Sequence, residues 1–389
     1  MISRRSLLRG AAATAVAGTG AGLLVNQAVG ATGGSSGKAG GLSLKLVNKT
    51  GQFAAGSIYA YIVGNDGKQQ VHVTPDGELK PVEKGDGDGN GITDYSIPLK
   101  GSETTLQLPE MSGRIYFSLG DKLKLKVVDG GDGKAALAYP AGWTEGDPNY
   151  DILHDCAEFT FKDGAMYCNT TMVDMFSVPM SLHLKGEKDQ TTGELKDGGR
   201  DAIFKAVKGA EGFDKLVIDD KRVIAPGHGM ESKKFAEDYF AEYIDKVWST
   251  YEGKDLVVTT NAGKFTGRVK GGKFTFSGPA DVSFDKPSTK DVLFCDGKLA
   301  APNDGKTGPV AAILGAAFNR STLLSSAEQP GTDPGKFYQE KITNLYSKAM
   351  HDAAKDGKAY GFAFDDVASF ASYIEDHKPS ELTVTLTPF

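Results

Sequence analysis

The chain has 389 residues, 40% of them apolar and 50 of them glycine, with a formal net charge of −6. That suffices for a sizeable core in one large domain or two, and the glycine count favours many turns and therefore many strands. The acidic balance argues against nucleic acid or an anionic membrane as partner, since both need clustered Lys/Arg.

Ser3-Arg4-Arg5-Ser6-Leu7-Leu8-Arg9 has the twin-arginine form, followed by a weakly apolar Ala/Gly run, with no acidic residue before Asp66. Val29-Gly30-Ala31 suits cleavage. Residues 1–31 are expected to be a twin-arginine export signal, and the mature chain to be secreted. The apolar run is too short and too glycine-rich to anchor in a bilayer. Losing Arg4, Arg5 and Arg9 takes the charge from −6 to −9. Residues 32–41, TGGSSGKAGG, read as a flexible leader.

Strands follow. LSLKLVNKT and GSIYAYIVGNDG alternate apolar and polar residues. GRIYFSLGDKLKLKVVDGGDG reads as a hairpin, and residues 151–186 continue the pattern. The texture changes near Gly199. RDAIFKAVKGA has helical spacing. SKKFAEDYFAEYIDKVWSTY is predicted to be a helix capped by Ser232, its aromatic stripe facing the core. Short strands come next, then GPVAAILGAAFNR and FYQEKITNLYSKAMHDAAKDG read as helices. ELTVTLTPF closes the chain as an alternating strand. No internal repeat is found. The expected class is mainly β with an α+β part. A β-barrel or sandwich domain spans 42–198 and takes back the strand 381–389; a mixed α/β domain spans 199–380.

Several chemistries drop out. There is no G-x-S-x-G elbow, P-loop or H-E-x-x-H motif. Cys156, Cys168 and Cys295 form neither a disulfide framework nor a zinc set, though a Cys156–Cys168 bridge across a hairpin stays open. His72, His154, His183, His228, His351 and His377 lack metal-ligand spacing and read as surface or structural residues. Asp86, Asp88, Asn90 and Asp94 have calcium-loop spacing, but Ile97 stands where the bidentate Glu belongs, so a solvated loop is favoured.

Carboxylates remain. CAEFTFKDGAMYCNTTMVDMFSVP, residues 156–179, carries Glu158 and Asp174 around a turn at Asp163-Gly164. A two-residue loop there sets Glu158 opposite Asn169. Glu158, Thr160, Asn169 and Thr171 then share one polar face suited to sugar hydroxyls, with Phe159, Phe161, Cys168 and Thr170 inward. Asp174 is out of phase, and a flat ladder leaves it about 16 Å from Glu158. A glycosidase pair needs roughly 5 Å for retention or about 6.5–9.5 Å for inversion. A bulge or bend between Thr171 and Asp174 would repair phase and distance. Pattern alone supports a sugar-binding face better than a catalytic pair.

The motifs SGRIYFS (112–118), DPNYDI (147–152), EFTF (158–161), NTTMVDMFSVPMSL (169–182), RVIAPGHG (222–229), YIDKVW (243–248), AAFNRSTL (316–323) and YGFAFDDV (360–367) occur in one order. Together they resemble glycoside hydrolase family 64, the inverting laminaripentaose-producing endo-β-1,3-glucanases of the thaumatin-like superfamily. The resemblance implies a thaumatin-like barrel beside an α/β domain with a groove between them, and β-1,3-glucan as substrate. It implies no metal or organic cofactor, and a monomer is expected. It makes Glu158 the general acid and Asp174 the general base, with Thr160 and Thr171 at glucan-contacting positions. Phe159, Phe161 and nearby acidic groups are expected to help Glu158 keep its proton. Tyr167 and Lys162 match less firmly. Asn169 and one of Asp365 and Asp366, taken as Asp365, complete the substrate-facing candidates. Asn319 and Arg320 read as structural. LHDCA departs from the more aromatic approach expected before the acid. A non-catalytic glucan-binding wall protein and a glycosidase for another β-glucan stay open as alternatives.

Overall fold

The computed structural model describes residues 41–130 and 133–389. The twin-arginine segment and nearly all of the leader lie outside the described residues. Strict alternation in Leu42–Asn48 buries Leu42, Leu44 and Leu46 on one face. The same period recurs along the first half and generates two packed sheets.

The first sheet runs in the order Asp189–Thr192, Met180–Lys185, Glu381–Leu386, Leu42–Asn48, Glu103–Leu108. The second runs Tyr373–Asp376, Ala165–Thr170, Leu153–Lys162, Met111–Leu119, Ile58–Asn65, Gln70–Val73, Leu79–Pro81. Leu44, Leu46, Ile62, Ile115, Phe117, Phe159, Leu182 and Val384 fill the space between them. Both sheets keep free edges among the described residues, so this half is a sandwich and not a closed barrel. Glu381–Leu386 lies inside the first sheet, parallel to Leu42–Asn48 and antiparallel to Met180–Lys185. Tyr373–Asp376 falls within the stretch expected to be α/β, yet it pairs with Ala165–Thr170 as an edge of the second sheet.

The other half centres on helices Gly199–Gly209, Ala241–Gly253, Thr307–Asn319 and Leu345–Ala353, packed with a five-stranded sheet. Thr307–Asn319 is apolar nearly all round and buried along nearly its whole length. Tyr243, Ile244, Val247, Trp248 and Tyr251 lie in this core. The helix expected from Ser232 begins only at Ala241. Ser232 instead ends a short helix, Pro226–Glu231, and Lys233 at φ 59° turns the chain off the helical path. The helix expected across 337–357 is limited to Leu345–Ala353. Tyr338 at φ 57° breaks it early, and Asn344 caps the start by accepting from the Ser347 N–H.

Candidate active site

The site grows from a hairpin. Asp163 at φ 51° and Gly164 at φ 74° close the two-residue turn that right-twisted strands favour. The resulting register sets Glu158 opposite Asn169 and Thr160 opposite Tyr167. Those four side chains share a face; Phe159, Phe161 and Cys168 occupy the other and enter the sandwich core. Arg114 lies opposite Glu158 on the neighbouring strand, and Tyr373 opposite Asn169 on the edge strand. One row, Tyr373–Asn169–Glu158–Arg114, therefore crosses four strands.

Glu158 is 1% exposed. Its Oε1 accepts from Arg114 Nε at 3.2 Å and Nη2 at 2.9 Å, and its Oε2 from Asn169 Nδ2 at 3.3 Å. Arg114 Nη1 donates to Tyr116 Oη at 2.9 Å. A fork held from both sides fixes the plane of the Glu158 carboxyl. Phe159 and Phe161 point to the opposite face, so the surroundings of Glu158 are a guanidinium and an amide, not the phenyl rings expected from sequence.

Asp174 reaches this place because the chain leaves the sheet. The strand ends at Thr170, whose hydroxyl and N–H bond to Ser372. Beyond it, the Met172 N–H donates to the Tyr360 carbonyl, Tyr346 Oη donates to the Met172 carbonyl, and the Ala225 N–H donates to the Asp174 carbonyl. Met175–Phe176 then pairs with Val223–Ile224 in a separate small sheet. The change of direction between Thr171 and Asp174 is thus an exit held by other elements, not a bulge within a continuous ladder. It brings Asp174 Oδ2 to 3.8 Å from Arg114 Nη2. Two oxygens sharing one nitrogen at 2.9 and 3.8 Å are separated by at most the sum, about 6.7 Å. The flat-ladder separation of roughly 16 Å has gone.

The other oxygen of Asp174 meets His228, which sequence reasoning had set aside. His228 Nε2 lies 2.9 Å from Asp174 Oδ1, and Nδ1 lies 3.4 Å from Glu231 Oε2. Its ring stacks on Trp143 at 4.4 Å. Burial pulls the imidazole pKa down, but the hydrogen bonds to Asp174 and Glu231 together outweigh it and hold the pKa above its usual value. The available signal was the RVIAPGHG motif, whose Pro226 starts the short helix carrying His228. Buried Arg222, in the same motif, donates to the Gly142 and Ile152 carbonyls and so ties this segment to the loop bearing Trp143.

Thr160 and Tyr167 are half-buried on the Glu158 face, Tyr167 edge-on to His377 at 5.9 Å, and Thr171 lies beside the exit. Two expected substrate contacts are corrected. Asn169 is 0% exposed and binds Glu158 instead of opening to solvent. Asp365 is also 0% exposed. Its Oδ1 accepts from Arg320 at 3.0 Å, and its Oδ2 meets His351 Nε2 at 3.0 Å, Ser347 Oγ at 3.2 Å and the Gly361 N–H at 2.9 Å. This carboxylate is a buried tie between loops, because every direction around it is filled by protein donors. Asn319 lies nearby, donating to the Val292 and Gly315 carbonyls and accepting from Asn344.

Cys156 and Cys168 are free thiols on opposite faces of one sheet, which excludes a bridge across the hairpin. The segment LHDCA before Glu158 is buried from His154 onward; His154 is 0% exposed and its Nδ1 meets the Ile152 carbonyl. Asp86, Asp88 and Asp94 diverge: Asp86 meets Tyr95 and the Glu83 N–H, Asp88 accepts from the Asn90 and Ile92 N–H groups, and Asp94 meets Lys122. No group of three or more metal-binding side chains occurs among the described residues.

Comparison with known proteins bears on this geometry. A glucan endo-1,3-beta-glucosidase from Cellulosimicrobium cellulans is 34% identical over 364 residues, 90% of this chain, which spans 65% of that relative's length. The structure of a laminaripentaose-producing beta-1,3-glucanase in complex with laminaritetraose aligns with a TM-score of 0.81 at 35% identity, covering 90% of this chain and 99% of the other. A beta-1,3-glucanase domain from Clostridium beijerinckii aligns at 0.79 and 29% identity, with 90% and 99% covered. The mainly β architecture is common to all three chains. With the family model described as Beta-1,3-glucanase matching residues 40–386, essentially every element described above falls within it, and the chain belongs to glycoside hydrolase family 64.

Proposed function

We propose that this chain is an exported endo-β-1,3-glucanase that hydrolyses laminarin- or curdlan-type glucan with inversion and releases laminaripentaose. Glu158 is the general acid and Asp174 the general base. The observation that carries this reading is the gathering of two carboxylates, from a strand and from the segment that leaves its partner strand, around the single Arg114 guanidinium. Glu158 Oε1 and Asp174 Oδ2 are at most about 6.7 Å apart, near enough for the two carboxyls to flank one glycosidic bond. The division of roles follows from access. Glu158, at 1% exposure, is shielded from bulk water, whereas the Asp174 side chain is 17% exposed and within reach of solvent. Half-buried Thr160 and Tyr167, with Thr171, offer hydroxyls along the same floor for sugar contact.

In this mechanism Asp174 takes a proton from water as that water attacks the anomeric carbon. Glu158 gives its proton to the leaving oxygen from the opposite side, and configuration inverts in one displacement. The chemistry requires no metal or organic cofactor. Proton NMR of fresh laminarin digests tests it. The α anomer is expected first, and Glu158→Gln and Asp174→Asn are each expected to lower kcat by about 10²–10⁴-fold with the fold retained. A fresh β anomer, or a fully active Asp174→Asn, would overturn the mechanism. Binding to curdlan without release of any oligosaccharide would favour a purely binding protein, and faster turnover of barley glucan a different substrate.

A further inference from the structure

His228 is 3% exposed, in a slot between Trp143, stacked at 4.4 Å, and Phe294, edge-on at 5.4 Å. Both ring nitrogens face carboxylates: Nε2 at 2.9 Å from Asp174 Oδ1, Nδ1 at 3.4 Å from Glu231 Oε2. A neutral imidazole has one N–H and can serve only one of them; an imidazolium serves both. The backbone repeats the connection. The Ala225 N–H donates to the Asp174 carbonyl at 3.0 Å, and Met175 pairs with Ile224. One short segment therefore holds Asp174 by main chain and by side chain.

We propose that His228, oriented by Glu231, is a positioning residue for Asp174: it holds Oδ1, so that Oδ2 stays turned toward Arg114 and the reacting water. The proposal rests on Asp174 being the base. Without the histidine, Oδ1 of Asp174 would lose this hold, and displacement of a reacting group by about 1 Å costs on the order of 10²-fold in rate.

The charges around the ring come from few elements. Asp174 faces it from the segment that leaves the sheet, and Glu231 from its own helix. Lys290, on the helix Thr289–Phe294, reaches Glu231 at 3.5 Å. Arg114 and Glu158 lie beyond Asp174, and Trp143 and Phe294 bring no charge. Burial opposes the imidazolium, but the two carboxylates outweigh burial, so the charged form persists above the usual histidine range. When it is lost at alkaline pH, the ion-pair attraction to Asp174 goes, and the single remaining N–H can serve only one of the two carboxylates.

The experiment is a kcat and KM profile on laminarin over about pH 5 to 10, for the wild type, His228→Gln, Glu231→Gln and Asp174→Asn, with thermal melts alongside. A glutamine at 228 offers an amide N–H that does not titrate. His228→Gln is expected to lower kcat by about 10–10²-fold with KM within about twofold, and to show only the alkaline fall that loss of the Glu158 proton produces, without the further fall that loss of the imidazolium adds in the wild type. Glu231→Gln is expected to move that further fall to lower pH. Wild-type kcat in His228→Gln, or the same alkaline fall in the wild type, His228→Gln and Glu231→Gln, overturns the proposal. If His228→Gln does not fold, half-exposed Glu231 decides alone, and an alkaline fall in Glu231→Gln identical to that of the wild type is then sufficient to reject it. An inactive Asp174→Asn beside unaffected His228 and Glu231 variants rejects the positioning role only. An active Asp174→Asn rejects the base assignment and the positioning role with it.

Discussion

Glu158 is held unevenly, and in the proposed mechanism the asymmetry selects the oxygen that carries the proton. Oε1 takes two N–H groups of Arg114; Oε2 has the Asn169 amide at 3.3 Å. A donated proton belongs on Oε2, the oxygen not committed to the cation. Among the described residues Asn169 Oδ1 has no hydrogen-bond partner although the side chain is 0% exposed. Turned over, the same amide would accept from a protonated Oε2, since the assignment of its O and N follows the protonation of its neighbour. Asn169 thus suits both protonation states of Glu158. Asn169→Leu is expected to lower kcat by about 10–10²-fold, the worth of a hydrogen bond to an ionisable group of about 1.5–3 kcal/mol, with KM nearly unchanged. Wild-type kcat in that variant would remove Asn169 from the chemistry. At this scale the sequence discloses only local geometry. The Asp-Gly turn fixes which residues share the Glu158 face. Arg114 stands 44 residues from Glu158 and His228 stands 54 from Asp174, so no spacing rule joins them to their carboxylates.

The element that makes the site is the stretch from Thr171 to Val178, where the chain passes from one sheet to another. Its backbone would otherwise lose its ladder partners, and an unpaired buried N–H or carbonyl is costly. Tyr360, Tyr346 and Ala225 supply part of the replacement. Asp155 supplies more: Oδ2 accepts from the Ser177 and Val178 N–H groups, and Oδ1 from the Cys156 N–H. Phase and distance arguments from sequence call for a turn in this stretch only once the resemblance pairs Asp174 with Glu158. They do not disclose its form, because its hydrogen-bond partners lie far away in the chain. Burial pushes the Asp155 carboxyl up to about 7, against those three donors, from an ordinary value of 3.8. The folded pKa lies above the unfolded one. The contribution to stability is therefore complete below about pH 4 and is lost as pH rises toward 7, by up to about 4 kcal/mol. Asp155→Asn keeps an oxygen for Ser177 and Val178 and cannot ionise. Denaturant unfolding at about pH 4 and pH 8 is expected to show a smaller loss between the two in the variant than in the wild type. Equal losses would mean that Asp155 is already ionised at the lower pH.

At the scale of the whole molecule, the last strand closes what the first one opens. Ser43 pairs with Glu381 and Asn48 with Leu386, so nearly the whole described chain separates the two partners. Alternation in ELTVTLTPF makes the strand legible in sequence, whereas its place between Leu42–Asn48 and Met180–Lys185 depends on a parallel pairing that no local pattern specifies. Tyr373–Asp376, just before it, borders the hairpin that carries Glu158, so the end of the chain supports both sheets of the sandwich. Leu382, Val384 and Leu386 are at most 1% exposed, and burying each contributes about 1.5–3 kcal/mol. Their combined loss is comparable to a typical net stability of about 5–15 kcal/mol, before the ladder bonds on both sides are counted. Truncation after Ser380 is therefore expected to yield no cooperatively folding protein, read by the absence of a thermal transition. Leu382→Ala gives the graded version. It is expected to cost about 2–5 kcal/mol in denaturant unfolding while the folded fraction keeps its kcat, because the residue faces the sandwich core and not the carboxylates. A truncated chain that still melts cooperatively and cleaves laminarin would show that the sheet tolerates losing an interior strand, and that the site's support comes from the helical half alone.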